Sequence, residues 1–403
     1  MRRDCLLVAG LALFLAASAS ASAFAAGEAP ADRPPFVQGR LDVRYRAWTV
    51  EKKDGPDAKV SEVAFPLFMK KSLGASADLS ILLPAFSASY DGDERSDLSG
   101  LADAVLTGEY RFDGGRYRAA LTLGLPTGAV PFGPDEETIA GAATNRVLGF
   151  PVKRFGEGFD AGISLTRGFS PVRGLAASAG IGYVRKGEYD FAEDEGPATA
   201  YKPGNELLAS AGAESEWDLG FAGVLASVDV RYRSFSKDER GGEAFYEEGD
   251  QIETLLGAGL LLPSGGRVDL QGFLVFKGDG SEQGAFGAGS IDSLSLERYL
   301  LRGMTGGYTR VSLDYAHPSS ERIGLIAGAA LHRFGEYPAP AGAPVDERLL
   351  GSATVWEVGG GARVVLSRHH DLSLRAAWLT GDAEEGDVDL AGFDVRTALR
   401  WTY

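Results

Sequence analysis

The sequence predicts an all-β fold, a transmembrane antiparallel up-and-down β-barrel of about 16 strands, on three observations. Segments of 10 to 15 residues alternate between an apolar and a charged face, and the links between them alternate between short and long. Beyond residue 25 no apolar run comes near the roughly 20 residues that a membrane helix requires. Even counts on either side, about 14 or about 18, are the alternatives.

Residues 1–25 read as a cleaved secretory signal peptide. Arg2 and Arg3 precede an apolar run from Leu6 to Ala17, and the small residues of SASASAFAA follow, placing cleavage after Ala23 or Ala25. Residues 26–35 form a short periplasmic segment and 36–403 the barrel. Cys5, the sole cysteine, leaves with the leader, so the exported chain has no thiol for catalysis, disulfides, haem attachment or zinc. Export and barrel together imply the outer membrane of a Gram-negative bacterium, with its lipid and lipopolysaccharide as surroundings.

Along the barrel, RYRAALTLGL (116–125) sets Tyr117, Ala119, Leu121, Leu123 and Leu125 against Arg116, Arg118, Thr122 and Gly124. FAGVLASVDVRYRSF (221–235) sets six apolar positions from Ala222 to Tyr232 against Asp229, Arg231 and Arg233. In RVDLQGFLVFK (267–277), Val268, Leu270, Leu274 and Phe276 oppose Asp269 and Gln271. Less regular alternation occupies 41–50, 75–86, 101–112, 177–186, 207–217, 252–262, 308–316, 323–334, 354–366 and 372–380. Eleven residues tilted near 45° rise about 26 Å, the height of a membrane's apolar band, whereas soluble sandwiches use strands of about 5 or 6 residues. The terminal DVRTALRWTY alternates again, Val395 to Tyr403 on one parity and Asp394, Arg396 and Arg400 on the other. Its aromatic end, Trp401 and Tyr403, matches a recognition signal for the barrel-assembly machinery.

Short links DGGR (113–116), WDLG (217–220), PSGG (263–266) and SRHHD (367–371) alternate with long acidic stretches at 187–203, 236–250, 279–303 and 337–352. Counts from the two ends agree at 16 only if NRVLGFPVKRF (145–155) is not a strand but part of an outer loop or a loop folded into the lumen. Too few residues precede the first strand to make an N-terminal plug, so occlusion must come from a loop such as 128–156 or 279–303.

The stretch SGLADAVLTGEYRF…GRYRAALTLGLPTG (99–128), followed by FPVKRFGEGFDAGISL (150–165), resembles the outer-membrane proteins grouped as the "MetA-pathway of phenol degradation" family. There a GLGD-like segment, a strand ending in PTG and a PVSKR-type segment occur in this order; here they read GLAD, PTG and PVKR. The resemblance covers residues 60–190. It implies a transporter-like barrel passing hydrophobic or aromatic molecules, with no catalytic motif to carry over.

Charge on a lipid face costs about 2–4 kcal/mol at mid-membrane, so the charged parity must face inward. The candidate lumen-lining residues are Arg44, Arg46, Glu109, Arg111, Arg116, Arg118, Asp229, Arg231, Arg233, Asp269, Arg310, Asp314, Arg375, Arg396 and Arg400. They orient a polar or anionic solute, or else neutralise one another as filling. Trp48, Trp217, Trp356, Trp378 and Trp401, with Tyr110, Tyr183, Tyr232 and Tyr315, are assigned to interfacial girdles.

The remaining composition excludes more than it adds. With 40 basic and 56 acidic residues, a formal charge of −16, nucleic acid is no partner. The 55 glycines lack a three-residue period and sit among apolar residues, as in a closing sheet. DGDERSD (91–97) has Ser96 where a calcium loop needs glycine, and GAFGAGS (284–290) lacks the lysine of a nucleotide loop. Four histidines, His317, His332, His369 and His370, form no recognisable catalytic set. The expectation is a non-enzymatic channel without cofactor or metal, with a small-molecule solute. The alternatives are a structural barrel sheathing a partner and, further off, a barrel-type lipid hydrolase. The oligomeric state is left open.

Overall fold

A strand whose two faces meet different surroundings must present alternate residues to each, and a closed sheet is the arrangement that leaves no strand edge unpaired. The computed structural model describes residues 36–53, 55, 57–92, 95–128, 139, 147–152, 154–156, 158–191, 199–278, 281–282, 306–335, 352–383 and 386–403. The proposed leader and the segment 26–35 lie outside these residues, as does most of 279–303.

In chain order the strands are β1 (Val37–Lys52), β2 (Ala58–Ala64), β3 (Leu67–Ser72), β4 (Ala77–Leu83), β5 (Ala85–Asp91), β6 (Arg95–Leu101), β7 (Ala104–Phe112) and β8 (Tyr117–Leu125). Then come β9 (Asp160–Val172), β10 (Leu175–Arg185), β11 (Tyr189–Phe191), β12 (Thr199–Lys202), β13 (Glu206–Asp218), β14 (Gly223–Phe235), β15 (Asp238–Arg240) and β16 (Glu243–Glu247). The rest are β17 (Gln251–Leu261), β18 (Arg267–Lys277), β19 (Ser281–Glu282), β20 (Tyr308–Pro318), β21 (Ile323–Phe334), β22 (Ala353–Val365), β23 (His370–Ala383) and β24 (Val388–Thr402).

Nineteen of these form one sheet, each pairing antiparallel with its neighbours. Three staves are broken in the middle: β2 and β3 both pair with β1, β4 and β5 pair with them in turn, and β6 and β7 follow. Counting each broken pair as one stave gives 16, closed by β1 against β24 from Gln38↔Thr402 to Lys52↔Val388. Backbone bonds from Val37 N to Tyr403 O (2.7 Å) and from Tyr403 N to Val37 O (2.8 Å) finish the seam. Of the segment 145–155, the described residues 147–152 and 154–155 form no strand, as the 16-strand count requires.

The breaks fall at Pro66, Pro84 and Ala102–Asp103 and lie side by side, the first two linked by Phe65 N to Ala85 O (2.7 Å) and the last two by Ala102 N to Pro84 O (2.9 Å). Proline cannot donate to the ladder, so each such position interrupts the pairing. Across the third break the inward parity changes, from Ser96 and Leu98 to Val105, Glu109 and Arg111.

The outer face is apolar: Leu121, Ile163, Ile181, Leu207, Val358 and Trp378 are all exposed there. Of the residues assigned to girdles, Trp217, Trp356, Trp378, Tyr110, Tyr183, Tyr232 and Tyr315 are exposed on this face. Trp48 is the correction. It shares the parity of Arg44 and Arg46, points inward and is 2% exposed.

The rim carrying both ends of the barrel has tight turns at 73–76, 113–116, 173–174, 219–222, 262–266, 319–322 and 366–369. At 113–116 three successive residues, Asp113, Gly114 and Gly115, take positive φ (52°, 63° and 86°), which two glycines make inexpensive. The opposite rim has the long connections, where β11, β12, β15, β16 and β19 form a separate five-stranded sheet. No helix among the described residues is long and apolar enough to cross a membrane.

Candidate functional site: the barrel interior

β8 is only 9 residues long, and the described residues between it and β9 form no strand of the wall. Among them Leu148, Phe150, Val152, Arg154 and Phe155 are all buried inside the barrel. Apolar side chains inside a barrel need apolar partners, and two clusters supply them. Leu148 and Phe150 pack with Trp48, Val60, Phe334, Val355, Leu379 and Leu390. Ile139, Val152 and Phe155 pack with Ala64, Phe86, Ala88, Leu98 and Ala102, with the Phe86 and Phe155 rings 5.0 Å apart and edge to face.

Polar groups fix the same segment. Arg46 Nη1 donates to Leu148 O (3.1 Å) and Gly149 O (2.7 Å), Trp48 Nε1 donates to Leu148 O (2.8 Å), and Val152 N donates to Glu62 Oε1 (3.2 Å). Asp103 accepts from Gly128 N (3.1 Å) and Arg154 Nε (3.2 Å). Thr127 Oγ1 donates to Ala102 O (2.7 Å) and accepts from Ala104 N (2.9 Å). Asp103 belongs to GLAD, Thr127 and Gly128 to PTG, and Arg154 to PVKR. The three motifs that carry the family resemblance therefore meet at one joint, where the broken stave and both ends of the inner segment are tied together.

From this joint a chain of buried ion pairs runs along the inner wall. Arg154 Nη1 reaches Asp160 Oδ2 (2.7 Å), Lys186 Nζ bridges Asp160 (3.0 Å) and Glu206 (2.9 Å), and Arg233 bridges Glu206 (2.6 Å) and Glu253 (3.1 Å). Arg231 lies 3.7 Å from Glu253. Burying each ion costs several kcal/mol unless it is paired, so alternation of sign is a condition for this belt to exist.

The other candidates divide into several groups. Arg44 and Arg46 share Asp394, each at 2.7 Å, and Arg396 contacts Asp42 at 3.3 Å. Glu109 pairs with Arg118, and Arg111 with Asp78 at 2.9 Å. Asp269 pairs with Arg267 at 2.7 Å, and Asp314 with Arg375 at 3.2 Å. Arg310 stands opposite His332 in the ladder. His332 contacts Glu357 at 3.4 Å and shares a 2.9 Å hydrogen bond with Tyr308. Asp229 and Arg400 have no hydrogen-bonded or salt-bridged partner among the described residues. Arg116 is exposed in the turn 113–116, outside the strand wall. Trp401 faces outward over Gly39, and Tyr403 stacks on His369 (ring centroids 5.5 Å apart) and bonds His370 Nε2 (2.8 Å).

Sequence reasoning did not single out Asp42, Glu62, Asp103, Arg154, Asp160, Lys186, Glu206 or Glu253. Asp42 was within reach, since it shares parity with Arg44. Asp103 and Arg154 sit at a strand break and in a loop, where no period exists to be read. Among the described residues no group of three or more His, Cys, Asp or Glu could hold a metal ion.

No protein-family model matches the chain, and comparison with curated proteins gives no match. Among solved structures it is similar to Pseudomonas aeruginosa OccK7 (OpdD), at 10% identity and a TM-score of 0.43, over 92% of this chain and 99% of that one. It is also similar to Pseudomonas putida OprB, at 9% identity and a TM-score of 0.44, over 91% and 94% of the two chains. The COG4313 outer membrane channel from Pseudomonas putida F1 gives 10% identity and a TM-score of 0.38, over 94% and 98%. These likenesses concern the fold alone.

Proposed function

We propose that the chain is an outer-membrane channel of a Gram-negative bacterium, exported by its leader and inserted by the barrel-assembly machinery, through which small solutes pass around an anchored inner segment. The observation that carries this reading is a closed wall, apolar outside and charged inside, whose interior holds residues 147–152 and 154–156 by side-chain tethers as well as by packing. A barrel serving only as a scaffold needs no such tethered constriction. The meeting of GLAD, PTG and PVKR at one joint supports kinship with the MetA-pathway of phenol degradation family. The apolar flank formed by Trp48, Phe150, Phe334 and Leu379 suits hydrophobic or aromatic solutes.

The test is single-channel conductance of the refolded protein in a planar bilayer, compared with a variant carrying Arg46→Gln and Trp48→Phe. Those changes remove the donors to Leu148 O and Gly149 O. A small conductance that rises in the variant is expected. Silence from both correctly folded proteins would sink the channel and favour a sealed scaffold, which the two apolar clusters would also suit.

A further inference from the structure

The charged groups inside the barrel are not evenly mixed around its circumference. On β24 and β1, positions 394–400 and 40–46 carry five inward arginines, Arg40, Arg44, Arg46, Arg396 and Arg400, against two aspartates, Asp42 and Asp394. Both aspartates are already bound by arginine, and Arg400 faces Arg40 across one ladder and Asp371, which is held by Arg363, across the other, with no hydrogen-bonded or salt-bridged partner of its own among the described residues. On β13 and β14 the signs are reversed. Over the paired spans 212–216 and 225–229 the inward face carries Glu214, Glu216 and Asp229 and no cation; the next inward residue, Arg231, belongs to the buried belt through Glu253. None of the three has a hydrogen-bonded or salt-bridged partner among the described residues.

The two patches face each other. β13 and β14 are the eighth and ninth of the 16 staves, β24 and β1 the sixteenth and first, so each pair lies half a turn from the other. They also lie at similar heights. Counting from the rim that carries the barrel ends, Arg400 and Glu216 each stand two residues inside their strands' ends at Thr402 and Asp218. Arg396 stands six from Thr402, and Asp229 six from the start of β14 at Gly223. The neighbouring inward positions of β10 and β17 are Ala176, Ser178, Gly180, Gly257 and Gly259, which interpose no charge.

Opposed charges across a cavity with low-dielectric walls produce a transverse field that does not cancel at its centre. A neutral solute gains only the small orientation energy of its own dipole, and a monovalent ion is drawn to one wall and held there. A solute with an ammonium at one end and a carboxylate at the other aligns with both walls and keeps moving along the axis. Building on the channel reading, but in place of its hydrophobic or aromatic solutes, we propose that the solutes selected here are small zwitterions of the amino-acid type, steered through the half of the lumen nearest the barrel ends by arginine on one wall and carboxylate on the other.

Glycine and its uncharged isomer glycolamide test this, because they have the same atoms and nearly the same size. Their rates of entry into proteoliposomes are read by osmotic swelling, beside the bilayer conductance of the same preparation. Glycine is expected to enter several-fold faster than glycolamide. The double variant Glu214→Gln with Asp229→Asn, and separately Arg400→Gln, should bring the ratio towards one while leaving glycolamide entry unchanged. None of these groups has a hydrogen-bonded or salt-bridged partner among the described residues, so neutralising them breaks no ion pair there. A ratio near one in the unaltered protein, or one that ignores both variants, overturns the zwitterion assignment while conductance keeps the channel standing. Absence of swelling and of conductance together overturns both.

Discussion

Asp103 receives Gly128 N and Arg154 Nε, and Arg154 passes on to Asp160, so one carboxylate and one guanidinium hold a strand break, a strand end and a loop together. Replacing Arg154 by leucine takes from Asp103 and Asp160 the guanidinium they share, leaving Asp160 to Lys186, a loss of about 3–5 kcal/mol when a buried pair is broken. The expected outcome is a barrel that still migrates as folded on an unheated gel but shows larger, noisier single-channel currents, because the inner segment has lost its anchor. Gly39 offers a second single-residue test. A Cβ there would lie 2.1 Å from the Trp401 ring, so Gly39→Val must push that ring off the seam between the first and last staves. Overpacking of this kind costs about 1–3 kcal/mol and should lower the temperature at which the folded band is lost on heating.

At the scale of the strand, the two faces of β8 make opposite predictions for neighbouring residues. Leu121 is exposed on the outer face, and Ala120 faces inward opposite Glu109. Leu121→Arg should cost about 2–4 kcal/mol in a membrane and cut the folded yield in lipid vesicles, whereas Ala120→Arg should insert normally. Equal yields would contradict the assignment of faces. Strands such as β8, β14 and β18 were legible in the sequence because their charged residues share one parity and the other is almost wholly apolar. The stave made by β2 and β3 was not, because Phe65 and Pro66 break its run. β9 was missed for a different reason: its inward positions are Gly162, Ser164, Thr166 and Gly168, and its one strand-interior charge, Arg167, lies on the outer parity over Tyr117. The interior was legible as a set of charges but not as pairs, since pairing depends on which staves become neighbours. Trp48 shows the same limit. Its residue type suggests an interface, and only its parity with Arg46 places it against the inner segment.

For the molecule as a whole, the rim opposite the barrel ends carries the acidic stretch 238–250 with Asp382 and Asp387, and the formal charge is −16. Such a mouth concentrates cations over a Debye length of about 30 Å at 0.01 M salt and about 3 Å at 1 M. Reversal potentials should therefore show a cation preference in dilute salt that fades in concentrated salt; a preference independent of salt would assign selectivity to the interior instead. The seam between β1 and β24 has a consequence of another kind, one of timing. Arg44 meets Asp394 across 350 positions of sequence, so the first stave cannot find its partner until the last has been made. Contacts of that separation are the slowest to form, and until they do the chain exposes two unsatisfied edges together with an apolar face. The ribosome can therefore never release a partly finished product that is already closed. The polypeptide must be escorted open from its first residue to its last, and losing the final strand would cost the whole enclosure rather than one sixteenth of it.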